Sequence, residues 1–235
     1  MKTKIFTIGY ATKDADSFIR CLKKNNVTCL IDVRSTPFSK TFPLYDKANL
    51  KDALNKEGIL YAHFGEEFGA RRNEEEAYAP SYSLKGELKD QVSFHKVYEL
   101  PLFQKGVERT LNAIKQGYNV CFMCSEKHPV DCHRFWMVAY YFKTHLEGFD
   151  IINIITEDEN ESFDQVIAQV ELDKEEKKFY KNHEELNSFA LFDMPISPWV
   201  KWWDEFFKSN NQLTEKVHTF SNIRIGYARG EEEHD

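Results

Sequence analysis

The chain has 235 residues, of which 42% are hydrophobic and 29% are charged, a composition typical of a soluble globular protein. No apolar run reaches the roughly 18 residues that span a bilayer, and the chain starts with a strand pattern rather than a signal peptide, so we expect a cytoplasmic protein without a membrane partner. The net charge of −7 argues against a strongly basic duplex-binding protein, and the five irregularly spaced cysteines argue against a disulfide framework, so nucleic acid is a partner that the charge does not favour.

Strand and helix patterns alternate at the start of the chain. Short apolar runs rich in strand formers predict strands, and apolar residues at helical spacing predict helices. The predicted strands cover residues 4–8, 28–33 and 59–64, and the predicted helices cover residues 14–24 and 47–56. Pro37 ends regular structure after the second strand, and Gly58 stops the second helix.

The alternation resumes after a long excursion. Residues 65–93 are rich in charge and turn formers, which predicts a segment outside the sheet. A helix over residues 103–116, a strand over 120–124, a helix opened by Asp131 and a strand over 151–155 follow. This alternation predicts an α/β fold with a mostly parallel sheet and flanking helices, and we assign it to a first domain over residues 1–156.

The region from residue 157 onward differs in composition. An acidic segment over residues 157–161 precedes a charged helical pattern that continues to residue 185. Acidic side chains clearly outnumber basic ones in this region, whereas the region before it is slightly basic. We predict a helical, acidic C-terminal extension over residues 157–235 that packs on the first domain, with a disordered tail over residues 229–235.

Aromatic residues form a stripe on one helical face of this extension. They are Trp199, Trp202, Trp203, Phe206 and Phe207. Such a stripe either packs against its own domain or forms a surface for a partner protein. We favour packing, and keep a partner surface at the first four of these residues as the alternative.

The densest group of reactive side chains lies between a buried strand and a helix. Within eleven positions the chain carries Cys124, Glu126, Cys132, His133 and Arg134. The connection that holds them follows the carboxyl end of a predicted parallel strand, which is where ligands bind in open α/β sheets. We therefore predict that these five residues are catalytic.

The two thiols have different expected environments. Cys132 follows Asp131, a natural N-cap, so its thiol is expected in the first turn of a helix, where the dipole favours a thiolate. Either Cys132 or Cys124 would then be the nucleophile. The general acid or base would be Glu126 or His133. In the structural alternative, Cys132 is a small buried hydrophobic residue.

Zinc is a further alternative for the same residues. Cys124, Cys132 and His133 are all permissible zinc ligands. Adjacent residues of a helix diverge by about 100°, which is unfavourable for binding one ion with both Cys132 and His133. We therefore predict no metal and no cofactor, and keep a zinc-binding protein as an alternative function.

Further candidates lie near other predicted strand ends. Asp32 is a catalytic candidate, although it faces the same side of its strand as Arg34, so the two side chains can simply pair. The predicted ligand-binding residues are Tyr10, Arg34, Ser39, His63, Arg71 and Arg72. Arg71 and Arg72 suit a phosphate clamp, because guanidinium groups match phosphate geometry, although the acidic residues 74–76 can neutralise them.

Several short motifs follow one another along the chain. They are Thr7-Ile8-Gly9-Tyr10, Asp32-Val33-Arg34 with Pro37 and Ser39, Gly58-Ile59-Leu60-Tyr61 with His63, Phe68-Gly69-Ala70-Arg71-Arg72, residues 94–106, and Cys124-Ser125-Glu126 through Cys132-His133-Arg134. Together they resemble the family called Domain of Unknown Function 488, over about residues 4–155. The resemblance implies a compact α/β sandwich of the Rossmann-like kind. It also implies a pocket that contains Asp32, Arg34, Arg71 and the five residues of the dense group.

Some members of this family are labelled DNA repair proteins, which is a weak association rather than an activity. One position departs from the family pattern, because Ala70 stands where the family has the second glycine of a pair.

The sequence predicts an enzyme, a thiol-dependent hydrolase or transferase, that acts on a phosphorylated small molecule, a nucleotide or a nucleic-acid end. In this prediction Arg34, Arg71 and Arg134 orient the anion. The alternative from another class is a non-catalytic nucleotide or nucleic-acid sensor whose extension binds a partner protein.

Overall fold

The computed structural model describes residues 2–11, 13–39, 41–83, 85–183 and 197–229. Within them the protein is an α/β fold with a six-stranded, mostly parallel sheet flanked by helices, and a separate two-stranded sheet. The predicted α/β class and parallel sheet are therefore confirmed.

The strands follow the predicted pattern with small shifts at their ends. In chain order they are β1 (Thr3–Gly9), β2 (Cys29–Asp32), β3 (Leu60–His63), β4 (Tyr78–Tyr82), β5 (Leu88–Val92), β6 (Val120–Cys124), β7 (Phe149–Ile154) and β8 (Asn160–Ser162). The main sheet has the order β3-β2-β6-β1-β7-β8, and β4 pairs with β5 in the small sheet. Only β8 runs antiparallel in the main sheet. Gly9 is level with Cys124, so the carboxyl ends of β1 and β6 lie side by side.

The helices connect these strands and continue after them. In chain order they are α1 (Ala15–Lys24), α2 (Lys47–Lys56), α3 (Gly65–Phe68), α4 (Phe94–Glu99), α5 (Pro101–Lys115), α6 (Tyr140–Thr144), α7 (Phe163–Ala168), α8 (Leu172–Asn182), α9 (Pro198–Lys208) and α10 (Leu213–Ile225). A π-helix over Arg134–Ala139 leads directly into α6, and all six of its residues are buried. Short 3₁₀ turns cover Pro43–Tyr45, Glu75–Ala77 and Pro129–Asp131.

The two faces of the main sheet have separate apolar cores. Helices α1 and α2 pack on one face, for example through Leu22 and Leu54. Helices α3 to α6 and the π-helix pack on the other, for example through Phe103 and Phe142. The chain therefore leaves β1 toward one face and β6 toward the other, which opens a crevice between two neighbouring strand ends. Ligands bind at such crevices in open α/β sheets.

Two segments differ from the sequence-based expectation. The excursion over residues 65–93 contains α3 and the β4–β5 hairpin, and α4 follows it immediately. The acidic segment after residue 156, expected to be a loop, contributes β8 to the edge of the main sheet. A short edge strand tolerates charged side chains because one side of it faces solvent. The predicted domain boundary at residue 156 thus falls between two neighbouring strands of one sheet.

The C-terminal helices share the apolar core of the second face. Helices α7 to α10 contribute to the same buried cluster as α5 and the π-helix. Trp203 is fully buried there, whereas Trp199, Trp202 and Phe206 are half-buried and pack against the cluster. The partner surface that we kept as an alternative is therefore wrong for Trp203, because its indole has no exposed area. The stripe packs on its own chain, as we favoured.

The end of the predicted tail lies outside the described residues, which stop at Arg229. The Arg229 side chain pairs with Asp90 at 2.7 Å. The last two residues of the predicted charged helix, which was expected to reach residue 185, also lie outside the described part. No helix of the described part is both long enough and apolar enough to cross a membrane.

Candidate active site

The loops after β1 and β6 are held together at the crevice. The Tyr10 N–H donates to the Cys124 carbonyl at 3.2 Å, and the Ala11 N–H donates to the Ser125 carbonyl at 2.9 Å. Gly9 makes this approach possible, since a Cβ at this position would lie 1.8 Å from the Glu126 carbonyl oxygen. Glycine is therefore required at residue 9 to bring the two strand ends together.

Cys132 lies one position earlier relative to the helix than the sequence predicted. Its backbone is extended, and its carbonyl accepts hydrogen bonds from the Phe135 and Trp136 N–H groups at 3.1 and 3.2 Å. Cys132 thus caps the helix, and the predicted N-cap Asp131 instead pairs with Arg224 at 2.7 Å. The Arg134 N–H donates to the Cys132 sulfur at 3.4 Å, so a helix amide still faces this thiol.

Four side chains form what we call the reactive cluster: Cys124, Glu126, Cys132 and His133. Their sulfur, oxygen and nitrogen atoms all lie within 4.8 Å of one another. Cys124 Sγ is 3.8 Å from His133 Nδ1, and Cys132 Sγ donates to Glu126 Oε2 at 2.9 Å. His133 Nε2 donates to the Val33 carbonyl at 3.2 Å, which turns Nδ1 toward the thiols.

Neighbouring charges outweigh burial at three of these four groups. Burial raises the pKa of Cys124 well above its usual value, and the adjacent thiol and carboxylate raise it further. Burial also opposes ionisation of Cys132, but the hydrogen bond from Cys124 and the charge of Arg134 lower its pKa to about 6. At Glu126, burial is outweighed by His133 and by the two thiols, so its pKa falls to about 2. At His133, burial is outweighed by Cys132 and Glu126, so its pKa is raised.

The two thiols titrate as a pair. The contact between Cys132 and Glu126 needs a proton between sulfur and oxygen, whereas the lowered pKa of Cys132 indicates an easily lost proton. Because interacting groups share their titration steps, we attribute the low pKa to the pair and not to one sulfur. The cluster can therefore hold one thiolate opposite an imidazolium at neutral pH.

A second charged pair lies beside the cluster. Asp32 is fully buried, and its carboxylate accepts hydrogen bonds from the Arg34 side chain, the shortest being Nε to Oδ1 at 2.9 Å and Nη2 to Oδ2 at 2.6 Å. The Tyr61 hydroxyl donates to the same carboxylate at 2.8 Å. Arg34 Nη1 has only a 3.5 Å contact with the Tyr10 hydroxyl. Asp32 therefore orients Arg34 and does not itself reach a ligand.

Both groups open into one cavity of about 180 Å³. Of the predicted site residues, it brings together Tyr10, Arg34, Ser39, Arg71, Cys124, Glu126 and His133. The guanidinium of Arg71 lies 4.6 Å from the centre of the Tyr227 ring, which also lines the cavity. Distant segments thus deliver one thiol, almost fully buried, an imidazole, a carboxylate and two guanidinium groups to the wall of one hollow.

Several predicted residues do not line this cavity. Arg134 is fully buried, and its guanidinium donates to the Glu126 and Lys127 carbonyls at 2.7 and 3.2 Å. Arg72 is also buried and donates to the Glu67 carbonyl and to the Glu74 carboxylate. Both arginines therefore stabilise loops, and the expectation that Arg134 orients the anion is wrong for this geometry. A long side chain can turn inward as easily as outward, so sequence position alone did not reveal this.

His63, Asp32 and Cys132 also stay behind the cavity wall. His63 Nε2 donates to the Arg34 carbonyl at 2.9 Å, so it supports the backbone of a cavity residue. Asp32 and Cys132 contact cavity residues from behind, through Arg34 and Glu126 respectively. These three residues therefore hold residues of the cavity in place without lining it themselves.

Tyr227, Phe38 and Ser35 line the cavity but were not predicted. Phe38 is 52% exposed on the loop after β2, where the nearby Ser39 had already indicated a site. The Ser35 hydroxyl accepts a hydrogen bond from the Arg71 N–H at 3.2 Å. Tyr227 follows α10, about a hundred residues after the reactive cluster, and no local pattern marks it.

The reactive cluster could also hold a metal ion. Two sulfurs, one nitrogen and one oxygen are the donor types that zinc binds, and four donors suit its tetrahedral preference. The hydrogen bond from His133 to the Val33 carbonyl resembles the support that metal-binding histidines receive. Among the described residues, this is the one group of at least three such donors at metal-binding spacing.

Comparison with known proteins identifies a family for most of this region. The model of the family described as Domain of unknown function DUF488 matches residues 14–141, more than half of the chain. The match contains every predicted site residue except Tyr10, and it ends well before Tyr227. Neither a curated protein nor a solved structure matches the chain.

Proposed function

The chain belongs to the DUF488 family, and from its site we propose that it is a thiol-dependent hydrolase or transferase acting on a phosphorylated small molecule, a nucleotide or a nucleic-acid end. One observation carries the proposal. A thiol in contact with an imidazole and a pair of arginines line the same small cavity.

Cys124 is the nucleophile in this proposal. It lines the cavity, whereas Cys132 lies behind Glu126. His133 Nδ1 faces the Cys124 sulfur at 3.8 Å, and the Val33 carbonyl fixes the orientation of the imidazole. A nucleophile, a base and a group that orients the base are the parts of an activated thiol, and their contacts are often long without substrate.

The charges of the cluster support an activated thiol. The first proton of the thiol pair is lost near pH 6, because the Cys124–Cys132 contact and Arg134 offset the cost of burial. His133 has a raised pKa and therefore carries the compensating positive charge. His133 thus takes up the Cys124 proton as an imidazolium, and Cys132 keeps its hydrogen bond to the Glu126 carboxylate.

Arg34 and Arg71 hold the anionic group of the ligand. Asp32 fixes Nε and Nη2 of Arg34, whereas Nη1 has only the 3.5 Å contact with the Tyr10 hydroxyl, and Arg34 lines the cavity. Arg71 approaches the same cavity from the loop after α3. Guanidinium groups held in this way bind phosphate oxygens with little reorganisation.

The reaction follows from this placement. The Cys124 sulfur forms a bond to the electrophilic atom beside the anion, and the bond to the leaving group breaks. His133 is placed to give its proton to that leaving group. Water or a second substrate then releases the group from sulfur, which corresponds to a hydrolase or a transferase respectively.

Turnover of p-nitrophenyl phosphate, followed by release of nitrophenolate, tests the proposal. We expect wild-type protein to be active and Cys124→Ala to lose at least about a thousandfold of the rate. The matched control is Cys121→Ala, a buried thiol of the same strand that faces the opposite core, and it should retain the rate. Saturable phosphate binding without turnover of this or other phosphorylated compounds would instead support the sensor alternative.

A metal-binding function is the second candidate, and the close spacing of the four donors favours it. In that case we expect about one zinc per chain by elemental analysis after zinc is offered and excess removed. Cys132→Ala should lose this zinc, and Cys29→Ala, a buried thiol outside the cluster, should keep it. Protein that stays free of zinc under these conditions is not a zinc protein.

We further propose a Rossmann-like relationship for the sheet and a cytoplasmic location. The crevice between β1 and β6 supports the first, since Rossmann-like sheets bind ligands where neighbouring connections diverge. The second is supported by the five free thiols, which are typical of a reducing compartment. The acidic extension and a link to DNA repair remain predictions.

A further inference from the structure

Tyr227 lies at the junction of two hollows. It lines the cavity of about 180 Å³ that holds the reactive cluster, and it also lines a neighbouring groove of about 560 Å³. Ligand pockets usually measure about 300–1,000 Å³. The cavity alone is therefore small for a complete ligand, whereas the cavity and the groove together are large enough.

The backbone that carries Tyr227 is fixed independently of its side chain. Residues 226–229, which we call the strap, pair with the edge of β5. The Val92 N–H donates to the Tyr227 carbonyl at 2.9 Å, and the Arg229 N–H donates to the Asp90 carbonyl at 2.8 Å. The Gln91 amide also donates to the Gly226 carbonyl. The strap should thus keep its place when the Tyr227 ring is removed.

The Tyr227 ring contacts the phosphate-binding side of the cavity. The Arg71 guanidinium lies 4.6 Å from the ring centre, in the range of a cation–π contact. An aromatic ring that both supports an arginine and borders a groove is suited to a ligand with an anionic group on one side and a flat ring on the other.

The groove has the chemistry of a nucleoside site. Beside the Tyr227 ring it is lined by the partly exposed Ile223 and Ile225, and by charged side chains of both signs, the basic Lys85 and Lys89 and the acidic Glu87 and Asp131. Nucleobases bind to aromatic and apolar surfaces through their faces and to polar groups through their edges. An uncharged lipid-like group would match the apolar residues but would form no hydrogen bond with the charged ones.

We propose that Tyr227 is a specificity-determining residue for a nucleotide: the phosphate binds at Arg34 and Arg71, and the base lies in the groove against the Tyr227 ring. This inference rests on the proposed function, because it places the phosphate in the same cavity. It assigns the C-terminal region, outside the family match, a part in selecting the ligand.

Calorimetric binding of three probes tests the inference: inorganic phosphate, ribose 5-phosphate and adenosine 5′-monophosphate. In wild-type protein the nucleotide should bind more tightly than ribose 5-phosphate. Tyr227→Ala should weaken the nucleotide about tenfold more than it weakens ribose 5-phosphate, because only the nucleotide loses a ring contact. Tyr227→Phe keeps the ring but loses the hydrogen bond between its hydroxyl and Arg71, so it should keep the wild-type ratio of nucleotide to ribose 5-phosphate affinity. The control is Tyr82→Ala on the neighbouring strand β4, which lines neither hollow.

The result that overturns the inference is an equal loss for all three probes, which would mean that Tyr227 acts only through Arg71. Nucleotide binding no tighter than ribose 5-phosphate binding in wild-type protein would overturn it as well. The binding of inorganic phosphate tests the proposed function separately. If phosphate does not bind, or still binds to the Arg34→Gln and Arg71→Gln variants as to wild type, the phosphate site itself is wrong.

Discussion

Two buried histidines contact the same helical segment but have opposite chemistry. His133 precedes the π-helix, and His218 of α10 donates from Nε2 to the Trp136 carbonyl within it, at 2.9 Å. Each ring therefore binds a backbone carbonyl with one nitrogen. The second nitrogen of His133 faces a thiol, whereas Nδ1 of His218 is buried without a hydrogen-bond partner.

The surroundings decide the charge of each histidine. Burial opposes the charged form of both rings. At His133 it is outweighed by a thiol and a carboxylate, so the pKa is raised. At His218, with Tyr140 stacked at 3.9 Å, burial and the neighbouring His95 and His145 lower the pKa to about 3. A buried histidine is therefore a reactive-site candidate when acidic groups face it and a cavity reaches it, and a core residue when aromatic and imidazole rings surround it.

The largest expected effect is a loss of stability from a substitution at His218, in the packed rings around it. We expect His218→Ala to lower the free energy of unfolding by about 3 kcal/mol, because it leaves an enclosed void and removes a hydrogen bond from the Trp136 carbonyl. His133→Ala should cost less, about 1–2 kcal/mol, since its ring borders an open cavity. Urea unfolding followed by circular dichroism measures both values. A larger loss for His133→Ala would reverse the roles that we assign.

The pH dependence of the free energy of unfolding tests whether His218, unlike His133, stays neutral in the folded protein. His218 stays neutral in the folded protein down to a pKa of about 3, whereas in the unfolded chain it takes up a proton near its usual pKa of about 6.5. Proton uptake by the unfolded state alone destabilises the folded protein as the pH falls through this window. The contribution amounts to about 2 kcal/mol between pH 6.5 and pH 5.

The variant that checks this is His218→Phe, which keeps a ring but cannot titrate. When the pH is lowered from 6.5 to 5, the free energy of unfolding of His218→Phe should fall by about 2 kcal/mol less than that of wild type. His95 also has a lowered pKa because it is buried, but it is present in both proteins and its share largely cancels. Parallel pH profiles for the two proteins would show that His218 does not titrate in this window.

A third change acts on the reactive cluster. His133→Gln keeps an N–H donor for the Val33 carbonyl but removes the imidazolium that stabilises the thiolate. We expect the rate of iodoacetamide labelling of the cluster at pH 5 to fall about tenfold, because below a thiol pKa of about 6 a rise of one unit in that pKa reduces the thiolate fraction by nearly that factor. Mass spectrometry after short exposures measures the rate at each cysteine.

The matched control for this variant is His63→Gln. His63 also donates to a backbone carbonyl, that of Arg34 at 2.9 Å, but lies outside the cluster. The rate of iodoacetamide labelling in His63→Gln should equal that of wild type. A similar fall in both variants would mean that the effect comes from backbone support and not from the charge of His133.

The sequence allowed the fold and the centre of the site to be predicted for one physical reason. Parallel strands are buried on both faces, so β1, β2 and β6 appear as short apolar runs, and their carboxyl ends meet at one edge of the sheet. Cys124 and His133 follow one such run, and Arg34 follows another. The short charged strand β8 gave no such signal.

Other features depend on tertiary packing that no local pattern reports. Arg72 and Arg134 turn inward because loop carbonyls there need donors. Tyr227 reaches the cavity only because the strap pairs with β5. His218 looks like any other histidine of a helical pattern, and only its neighbours in space distinguish it from His133.

The smallest expected effect is that of Tyr98→Phe, which tests whether the packing around His218 influences the reactive cluster. The Tyr98 hydroxyl donates to the Trp136 carbonyl at 3.1 Å and lies 3.0 Å from His218 Nε2. Tyr98→Phe removes this hydroxyl but keeps the ring, and His218 still binds the carbonyl, so we expect a loss of only about 1 kcal/mol in the free energy of unfolding. Iodoacetamide labelling should stay at the wild-type rate, because the Tyr98 hydroxyl bonds to Trp136 and His218 and to no residue of the reactive cluster. A slower rate in this variant would mean that the π-helix transmits the packing around His218 to the thiols, and the two regions would then have to be treated as one.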